Sequence, residues 1–261
     1  MLKKIVKTIV LGILLISAPI FIQADVNIND LGSKVFKLKD VGLWSGYEFG
    51  RPGKVATYLE EFFYYVAADW TVTETDAAAT EALATAAPTL GGVLLITNVN
   101  ADDNVVGLQK VGHSFDPQAG TNIWCEVGFQ GSEATQSDWL VGLVVTDTTP
   151  LANTDGIYFR KDDGDTNIDF ETNSGSTAST ETAIATFAAD TYVVVGFKVT
   201  GLTLVEYYVN GVKQGEFNTN ITSVPLRVTL HFQDGDTAGA VGAQTASVDY
   251  VVCAQSRAYE L

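Results

Sequence analysis

The acidic loop KDDGDTNID, at 161–169, holds the residues whose types and spacing best fit a metal site. Its oxygen-bearing side chains occupy alternate positions: Asp163, Asp165, Asn167 and Asp169. An extended backbone would turn these oxygens to one side, and calcium takes about 6–8 oxygen ligands. The order of Asp and Gly does not match a helix-flanked calcium loop, and the same residue types are common in solvated turns. The loop thus offers four candidate calcium ligands, with a plain hairpin turn as the alternative, and no other cofactor is indicated.

Catalytic constellations are the next chemistry to consider. Enzymes of sandwich architecture that cleave glycans use paired carboxylates on one strand face, spaced as Glu-x-Asp-x-(x)-Glu. The nearest approach here, Glu74-x-Asp76 with Glu81 further on, has the wrong spacing, and no Gly-x-Ser-x-Gly nucleophile elbow is present. We expect His113 and His231 to be ordinary surface or hydrogen-bonded histidines rather than bases. The sequence therefore predicts no catalytic residue and no enzymatic activity.

Aromatic side chains on strand-like segments could stack on sugar rings. The candidates for such stacking are Trp124, Trp139 and Tyr208. Alternation along a strand turns Tyr207 and Tyr208 to opposite faces, so at least one of them points into the core. Because most strand aromatics pack in cores, glycan stacking by these residues stands beside core packing as an alternative.

The two cysteines, Cys125 and Cys253, each lie in an apolar, strand-like run. They could form a disulfide after export, or they could be two buried thiols that pack as small hydrophobic side chains. Spacing along the chain cannot place their Cα atoms within bonding range, so both readings stay open. There is no Cys/His cluster with zinc-ligand spacing.

Composition excludes several classes of protein. The 261 residues are 46% hydrophobic, which is enough to build a core and argues against disorder. The formal net charge is -16. Such a surface repels phosphates, so nucleic acid and anionic lipid headgroups are excluded as partners.

Short segments rich in Val, Ile, Tyr, Phe and Trp recur from residue 57 onward, separated by Gly, Asn, Asp and Thr. The segments at 122–130 and 226–233 alternate apolar and polar residues, which is typical of half-buried antiparallel strands. Asn210-Gly211 predicts a tight hairpin between Glu206–Val209 and Val212–Phe217. The Ala-rich stretch at 75–87 has no strong apolar stripe, and we expect it to be irregular or extended rather than helical. These patterns predict an all-β sandwich of two packed antiparallel sheets.

The chain divides into four predicted parts. Residues 1–24 combine three lysines with an apolar run and a cleavage-like Ile-Gln-Ala, which is typical of a signal peptide. Residues 25–56 have little periodicity and predict an N-terminal arm, residues 57–257 predict the sandwich, and residues 258–261 form a C-terminal tail. The leader predicts a secreted or periplasmic location.

Several segments together resemble a family of tailed-phage structural proteins with a concanavalin A-like, laminin-G-like jelly roll. The resemblance covers roughly 57–257, and no single motif is diagnostic. It is carried by TYLEEFFYYVAADWTVTETDAAATEAL (57–83), GGVLLITNVNADDNVVGLQKVGHSF (91–115), TQSDWLVGLVVTDTTPLANTDGIYFRKDDGDTNI (135–168), YYVNGVKQGEF (207–217) and VDYVVCAQSR (248–257).

The resemblance implies a non-enzymatic virion protein that decorates or stabilises a capsid. Its implied partners are other virion proteins, above all the major capsid protein, in a multimeric assembly, and its implied location is the virion. The leader departs from this pattern, because coat proteins that assemble in the cytoplasm need no export signal. The rival reading is an exported, lectin-like carbohydrate-binding module with a glycan as its partner.

Overall fold

The computed structural model describes residues 36–37, 42–49, 53–85, 91–112, 114–235 and 242–257. Three short 3₁₀ turns occur in this part of the chain, at Gly42–Trp44, Ala67–Asp69 and Pro150–Ala152. Within the described residues, no helix is both long enough and apolar enough to cross a membrane. The strands, in chain order, are β1 (Phe36–Lys37), β2 (Glu48–Phe49), β3 (Val55–Glu60), β4 (Trp70–Glu74), β5 (Thr80–Leu83), β6 (Leu94–Thr97), β7 (Asn104–Lys110), β8 (Asn122–Gly131), β9 (Ser137–Val144), β10 (Gly156–Lys161), β11 (Asn167–Ser174), β12 (Thr177–Thr186), β13 (Val193–Thr200), β14 (Leu204–Val209), β15 (Val212–Phe217), β16 (Arg227–Asp234) and β17 (Thr245–Ser256).

Two antiparallel sheets pack face to face, as the sequence predicts. The seven-stranded sheet has the order β12-β11-β10-β9-β16-β7-β4. The eight-stranded sheet has the order β15-β14-β13-β8-β17-β6-β5, and β3 also pairs with β17. The first half of β17 pairs with β6 and the second half with β3. β4 is an edge strand of the seven-stranded sheet and β5 is an edge strand of the eight-stranded sheet. The chain therefore passes from the edge of one sheet to the edge of the other between them.

Period-two alternation explains which side chains form the core between the sheets. On β8, Ile123, Cys125, Val127 and Phe129 are buried in the main core cluster. On β16, the same holds for Val228, Leu230 and Phe232. Burying one apolar face from each sheet supplies the main favourable free energy of folding, at about 25 cal/mol per Å² of apolar surface.

The two cysteines face each other on the central strands of the eight-stranded sheet. Cys125 on β8 and Cys253 on β17 are direct cross-strand partners with Cα atoms 4.0 Å apart, and their sulfurs are bonded. The sequence left open a disulfide or two buried thiols, and the structure shows the disulfide.

Asn210 and Gly211 form the two-residue turn between β14 and β15. Their φ angles are +50° and +75°, the left-handed values that a type I′ turn requires. The predicted hairpin is therefore confirmed. The described part of the Ala-rich stretch, residues 75–85, contains no helix: Thr80–Leu83 forms β5, and Asp76 accepts a hydrogen bond from the Ala78 amide at 2.9 Å.

Part of the predicted arm packs on the outer face of the eight-stranded sheet. Trp44 and Tyr47 contact each other edge to face at 5.3 Å, and Tyr47 contacts Trp124 at 5.6 Å. Trp124 also donates a hydrogen bond to the Ser45 carbonyl. The predicted boundary at residue 57 lies inside β3, which begins at Val55. The leader and the C-terminal tail lie outside the described residues, so these divisions stay predictions.

Candidate functional site

The loop between β3 and β4 presents aromatic rings to solvent. Its sequence, Glu-Glu-Phe-Phe-Tyr-Tyr at 60–65, places two acids before four consecutive aromatic residues. Phe62 is fully buried, whereas Phe63 and Tyr64 are 65% and 67% exposed. Water contact with two neighbouring aromatic rings is unfavourable, and an exposed patch of this kind often marks a contact site.

Phe62 anchors this loop in the core. Its ring stacks on Trp70 with centroids 6.5 Å apart. Its φ angle is +48°, which is uncommon for a bulky residue and costs roughly 1–3 kcal/mol. The Phe62 amide donates to Glu60 Oε1 at 3.1 Å, and the Gly92 amide donates to the Glu61 carbonyl at 3.1 Å. These contacts hold the strained backbone in one conformation, so the exposed rings stand on a fixed base.

Exposed apolar side chains are frequent in the part of the sequence that contains this loop. Half of the ten large hydrophobic side chains that the described residues expose fall between positions 59 and 83. They are Leu59, Phe63, Tyr64, Val66 and Leu83. Residues 59–83 thus expose more large apolar side chains than any other described segment of similar length.

Two carboxyl groups meet at the β4 and β5 edges, close to Tyr65. Glu74 is the last residue of β4 and Glu81 lies on β5, and their side chains are in hydrogen-bonding contact. Burial and the contact with Glu74 raise the pKa of Glu81 to about 7. Two carboxylates so close cannot both ionise easily, so the pair retains a proton near neutral pH.

Tyr65 completes the group. Its hydroxyl oxygen is buried and has no hydrogen-bond partner within the described chain, and the same is true of Glu81 Oε1. Burial and the nearby Glu81 and Glu74 raise the pKa of Tyr65 to about 12. Tyr65 follows the two exposed rings directly in the chain, and we call Phe63, Tyr64, Tyr65, Glu74 and Glu81 together the aromatic–carboxyl patch. It combines exposed ring faces with the exposed carboxyl group of Glu74, whose oxygens could accept hydrogen bonds from a bound molecule.

The predicted calcium ligands do not converge in the structure. Asp165 Oδ1 accepts from the Asn167 amide at 2.7 Å, and Asp169 Oδ1 accepts from the Ala183 amide on β12 at 2.7 Å. The Asp163 amide donates to Asp138. Among the described residues, no group of three or more His, Cys, Asp or Glu side chains is placed to hold a metal ion. The loop connects the antiparallel strands β10 and β11. It is therefore a hairpin turn, which the sequence offered as the alternative to a calcium site.

A lysine supplies the positive charge at this turn. The Lys161 ammonium is buried and donates to the carbonyls of Thr135, Ser137 and Asp162. Burial lowers the pKa of Lys161, while Asp138 and Asp165 act in the opposite direction. Lys161 therefore holds the turn against the 133–137 loop and balances part of its negative charge.

The three predicted stacking residues are buried rather than exposed. Trp124, Trp139 and Tyr208 are 1%, 2% and 5% exposed. Trp139 packs in the main core against Phe129, with ring centroids 4.9 Å apart, and Trp124 is covered by the 44–47 segment. The stacking hypothesis for these residues is therefore corrected, because none of them presents a free ring face.

His231 is also not a surface histidine. It lies on the outer face of the seven-stranded sheet but is only 2% exposed, and neither ring nitrogen has a hydrogen-bond partner in the described part of the chain. Burial lowers its pKa to about 4, so the imidazole is neutral at physiological pH. His113 lies outside the described residues.

Comparison with known proteins shows the fold. No family model matches the chain, and no curated protein sequence matches it. Among solved structures, it is similar to a β-glucanase of Bacillus licheniformis (14% identity, TM-score 0.57, covering 76% of this chain and 97% of the other). It is also similar to a lichenase from a mouse hindgut metagenome (13% identity, TM-score 0.58, covering 76% of this chain and 98% of the other). A third similar structure is the carbohydrate recognition domain of Emp47p (13% identity, TM-score 0.52, covering 78% of this chain and 98% of the other). The chain thus has a concanavalin A-like jelly-roll sandwich fold.

These likenesses correct one prediction. The missing Glu-x-Asp-x-(x)-Glu motif led us to expect a protein that is not an enzyme, and that expectation is contradicted because several similar structures are β-glucanases. At these identities the likeness shows the fold alone, and this fold carries glycan-cleaving enzymes as well as a carbohydrate recognition domain. The resemblance to phage virion proteins gains no support from the comparisons.

Sequence reasoning missed the aromatic–carboxyl patch. Glu74 and Glu81 drew attention only as a motif with the wrong spacing, because spacing along the chain does not show that two edge strands bring them together. A signal was present in the Glu-Glu-Phe-Phe-Tyr-Tyr run at 60–65, since four consecutive aromatic residues cannot all face the core of a two-sided strand.

Proposed function

We propose that this protein binds carbohydrate through the aromatic–carboxyl patch. The observation that carries the proposal is the exposure of Phe63 and Tyr64 on the anchored β3–β4 loop, which continues into Tyr65 next to the Glu74–Glu81 pair. The apolar C–H face of a sugar ring stacks on exposed aromatic rings, and its hydroxyls hydrogen-bond to carboxyl oxygens. The rigid Phe62 anchor supports the proposal, because a surface that is already ordered loses little conformational entropy on binding.

The fold gives the proposal its context. Similar structures include a carbohydrate recognition domain and several glucanases, so glycan recognition is an activity that this architecture supports elsewhere. The similar structures do not show where on this chain a glycan would bind. The patch lies on the β3–β4 loop and at the β4 and β5 edges, and it is identified from this chain's own residues.

The test is a binding screen against immobilised glycans, followed by calorimetry on any glycan that is retained. We expect Phe63→Ala and Tyr64→Ala each to weaken binding about tenfold or more, since stacking contacts with an aromatic ring are generally worth about 1–3 kcal/mol. Val212→Ala is the matched control. Val212 is also strongly exposed, at 62%, but it lies on β15 at the opposite edge of the eight-stranded sheet. Binding that is unaffected by both aromatic changes would overturn the proposal.

A second candidate function is glycoside hydrolysis at the same patch, favoured by the pairing of Glu74 with Glu81. Hydrolysis needs one protonated and one ionised carboxyl group, and this pair retains a proton near pH 7. The contact between the two side chains is closer than the spacing of about 5 Å that retaining enzymes use. Release of reducing ends from a bound glycan, lost in Glu81→Gln, would establish this function.

Two predictions from the sequence concern the surroundings of the protein. A structural role on a phage particle, with the major capsid protein as partner, rests on the sequence resemblance alone. Export through the 1–24 leader rests on its composition. Mass spectrometry of purified particles and of the culture medium distinguishes the two locations.

A further inference from the structure

We propose that Asn210 is a site of spontaneous covalent modification and that the closed β14–β15 hairpin protects it. The reaction is deamidation, in which the side-chain amide of an asparagine is lost as ammonia. The attacking group is the main-chain nitrogen of Gly211, and the co-reactant is water. The site lies at the opposite edge of the eight-stranded sheet from Glu81, and the proposal does not depend on carbohydrate binding.

Asn210 and Gly211 have the residue types and the exposure that this reaction needs. They form the only Asn-Gly pair in the 261 residues, and both are exposed at the tip of the hairpin. Glycine has no side chain to hinder attack by its own nitrogen, and it lets the main chain rotate freely. The pair is therefore the position in this sequence where deamidation is chemically easiest.

The reaction has two steps, which together consume one water and release one ammonia. In the first step the Gly211 nitrogen attacks Cγ of Asn210. The bond between Cγ and Nδ2 breaks, and Nδ2 takes up the proton that the Gly211 nitrogen loses and leaves as ammonia. In the second step water opens the resulting five-membered ring. Cleavage between Cγ and the Gly211 nitrogen gives aspartate, whereas cleavage on the main-chain side gives isoaspartate, whose main chain runs through Cγ.

Two hydrogen bonds hold Asn210 away from this reaction in the folded protein. The Val194 amide on β13 donates to Asn210 Oδ1 at 3.0 Å. The Asn210 amide in turn donates to the Val194 carbonyl at 2.7 Å. Ring closure rotates both the side chain and the main chain of Asn210 out of this arrangement, so both bonds have to break first.

The conformation of the turn also opposes ring closure. Asn210 and Gly211 have φ angles of +50° and +75°, and the turn is closed by the direct pairing of Val209 with Val212. The five-membered ring contains the Cα–C bond of Asn210 and makes Cβ eclipse the Gly211 nitrogen about that bond. This eclipsed arrangement puts the ψ angle of Asn210 far outside the range of a type I′ turn. The hairpin therefore has to open before Asn210 reacts.

The hairpin can open without unfolding of the core. β15 is an edge strand, residues 211–214 are all exposed, and the pairing with β14 shifts register between Tyr207 and Tyr208. Phe217 closes the far end, with its ring centroid 5.9 Å from that of Phe170 and 5.5 Å from that of Tyr207. Segments with few buried contacts open at a lower free energy than the core does. Local opening of β15 is the route by which Asn210 reacts.

The isoaspartate product makes the opening permanent. It adds one carbon to the main chain of the two-residue loop, so Val209 and Val212 no longer meet in register. The aspartate product keeps the original main-chain path and retains an oxygen that can accept from the Val194 amide. The hairpin can therefore close again over aspartate, with one more negative charge at its tip.

The experiment measures modification of the purified protein during incubation at mildly alkaline pH, both folded and unfolded in urea. Peptide mass spectrometry locates the change, and an isoaspartate methyltransferase assay counts the second product. We expect Asn210 to react about tenfold more slowly, or slower still, in the folded protein, because opening costs free energy. Asn173, which precedes Ser174, is the internal reference. It is 6% exposed and donates from Nδ2 to the Asn153 carbonyl at 2.8 Å, so it should stay intact while the core is folded.

Two matched variants separate local opening from global unfolding. Phe217 on β15 and Ile184 on β12 are both partly buried and both pack against the main core, but they lie in different sheets. Phe217→Ala should speed modification of Asn210 several-fold, whereas Ile184→Ala should leave it near the wild-type rate. Equal acceleration by both variants would overturn local opening as the route.

Asn210→Asp supplies the aspartate product directly and should have a Tm near that of the wild type. Incubated wild-type protein that is rich in isoaspartate should have a lower Tm than this variant, and equal values would overturn the effect on the hairpin. Modification that is as fast in the folded protein as in urea would overturn protection by the hairpin. An unfolded protein that keeps Asn210 intact would overturn the site itself.

Discussion

The carbonyl oxygen of Phe62 lies directly against Gly92. A Cβ atom at position 92 would fall 1.6 Å from that oxygen, far inside any contact that two atoms can make. Gly92 therefore allows the strained β3–β4 loop to pack against the chain just before β6. The exposed rings of Phe63 and Tyr64 owe their position to this close approach.

Gly92→Ala is expected to displace the loop. The clash is with backbone rather than with a flexible side chain, so the loop must move, and we expect a loss of about 1–3 kcal/mol in the free energy of unfolding. Glycan affinity should fall with it. Urea denaturation and calorimetry measure the two effects. Gly131→Ala is the milder control, because its Cβ would lie 3.3 Å from the Phe187 ring and 3.6 Å from the Glu133 carbonyl oxygen, and an unchanged loop in Gly92→Ala would contradict the anchoring role.

Gly211→Val should destabilise the β14–β15 hairpin. Gly211 has a φ of +75°, which a β-branched residue adopts only with strain of about 1–3 kcal/mol. Thermal unfolding should show a lower Tm. Ala178→Val places the same side chain at an exposed position of the extended strand β12, in register with Asn173, where valine is favourable, and it should leave the Tm nearly unchanged. Equal Tm values for both variants would argue against the turn.

Joint replacement of Cys125 and Cys253 by Ala should lower stability substantially. The bond closes a loop with a sequence separation of 128, and loop-closure entropy for loops of that order is worth about 4–5 kcal/mol in the unfolded state. Wild-type protein that is unfolded in the presence of reductant should have the same free energy of unfolding as the double variant. Two reactive thiols in unreduced, unfolded wild-type protein would show that the bond is absent.

His231 should make the protein less stable in mild acid. Its pKa is about 4 in the folded protein and 6.5 for an unperturbed histidine, so the unfolded chain binds more protons between these values. Stability is therefore unaffected by His231 above pH 6.5 and falls as the pH drops towards 4, by on the order of 3 kcal/mol in total. The difference between wild type and His231→Gln in urea midpoints across this range isolates the effect, and parallel curves would contradict it.

Glu81 changes the stability of the protein with pH in the opposite direction to His231, over an overlapping pH range. Its folded pKa of about 7 exceeds the value of 4.5 for an unperturbed Glu. Its stabilising contribution is therefore complete below pH 4.5 and is lost as the pH rises through 7. For this reason the His231 effect must be measured as a difference between variants.

The fold could be predicted because local patterns determine it. Alternation in β8 and β16 identifies the buried face, and Asn210-Gly211 requires a conformation that few other pairs adopt. The disulfide could not be decided in advance, because the register that places Cys125 opposite Cys253 depends on the pairing of strands far apart in sequence.

The candidate site was beyond sequence reasoning for a similar reason. Glu74 and Glu81 come together only because β4 and β5 are edge strands of different sheets. The burial of Trp124 depends on the 44–47 segment, whose sequence has no clear period. The burial of His231, on the outer face of its strand, likewise cannot be read from alternation alone.

The most direct test of carbohydrate binding at the aromatic–carboxyl patch is an NMR titration of isotope-labelled protein with a retained glycan. Saturable shifts should concentrate at residues 61–66, at Glu74 and at Glu81. They should be absent in a variant that combines Phe63→Ala with Tyr64→Ala and keeps the wild-type spectrum elsewhere. Shifts confined to the outer face of the seven-stranded sheet, around His231 and Tyr158, would contradict binding at this patch.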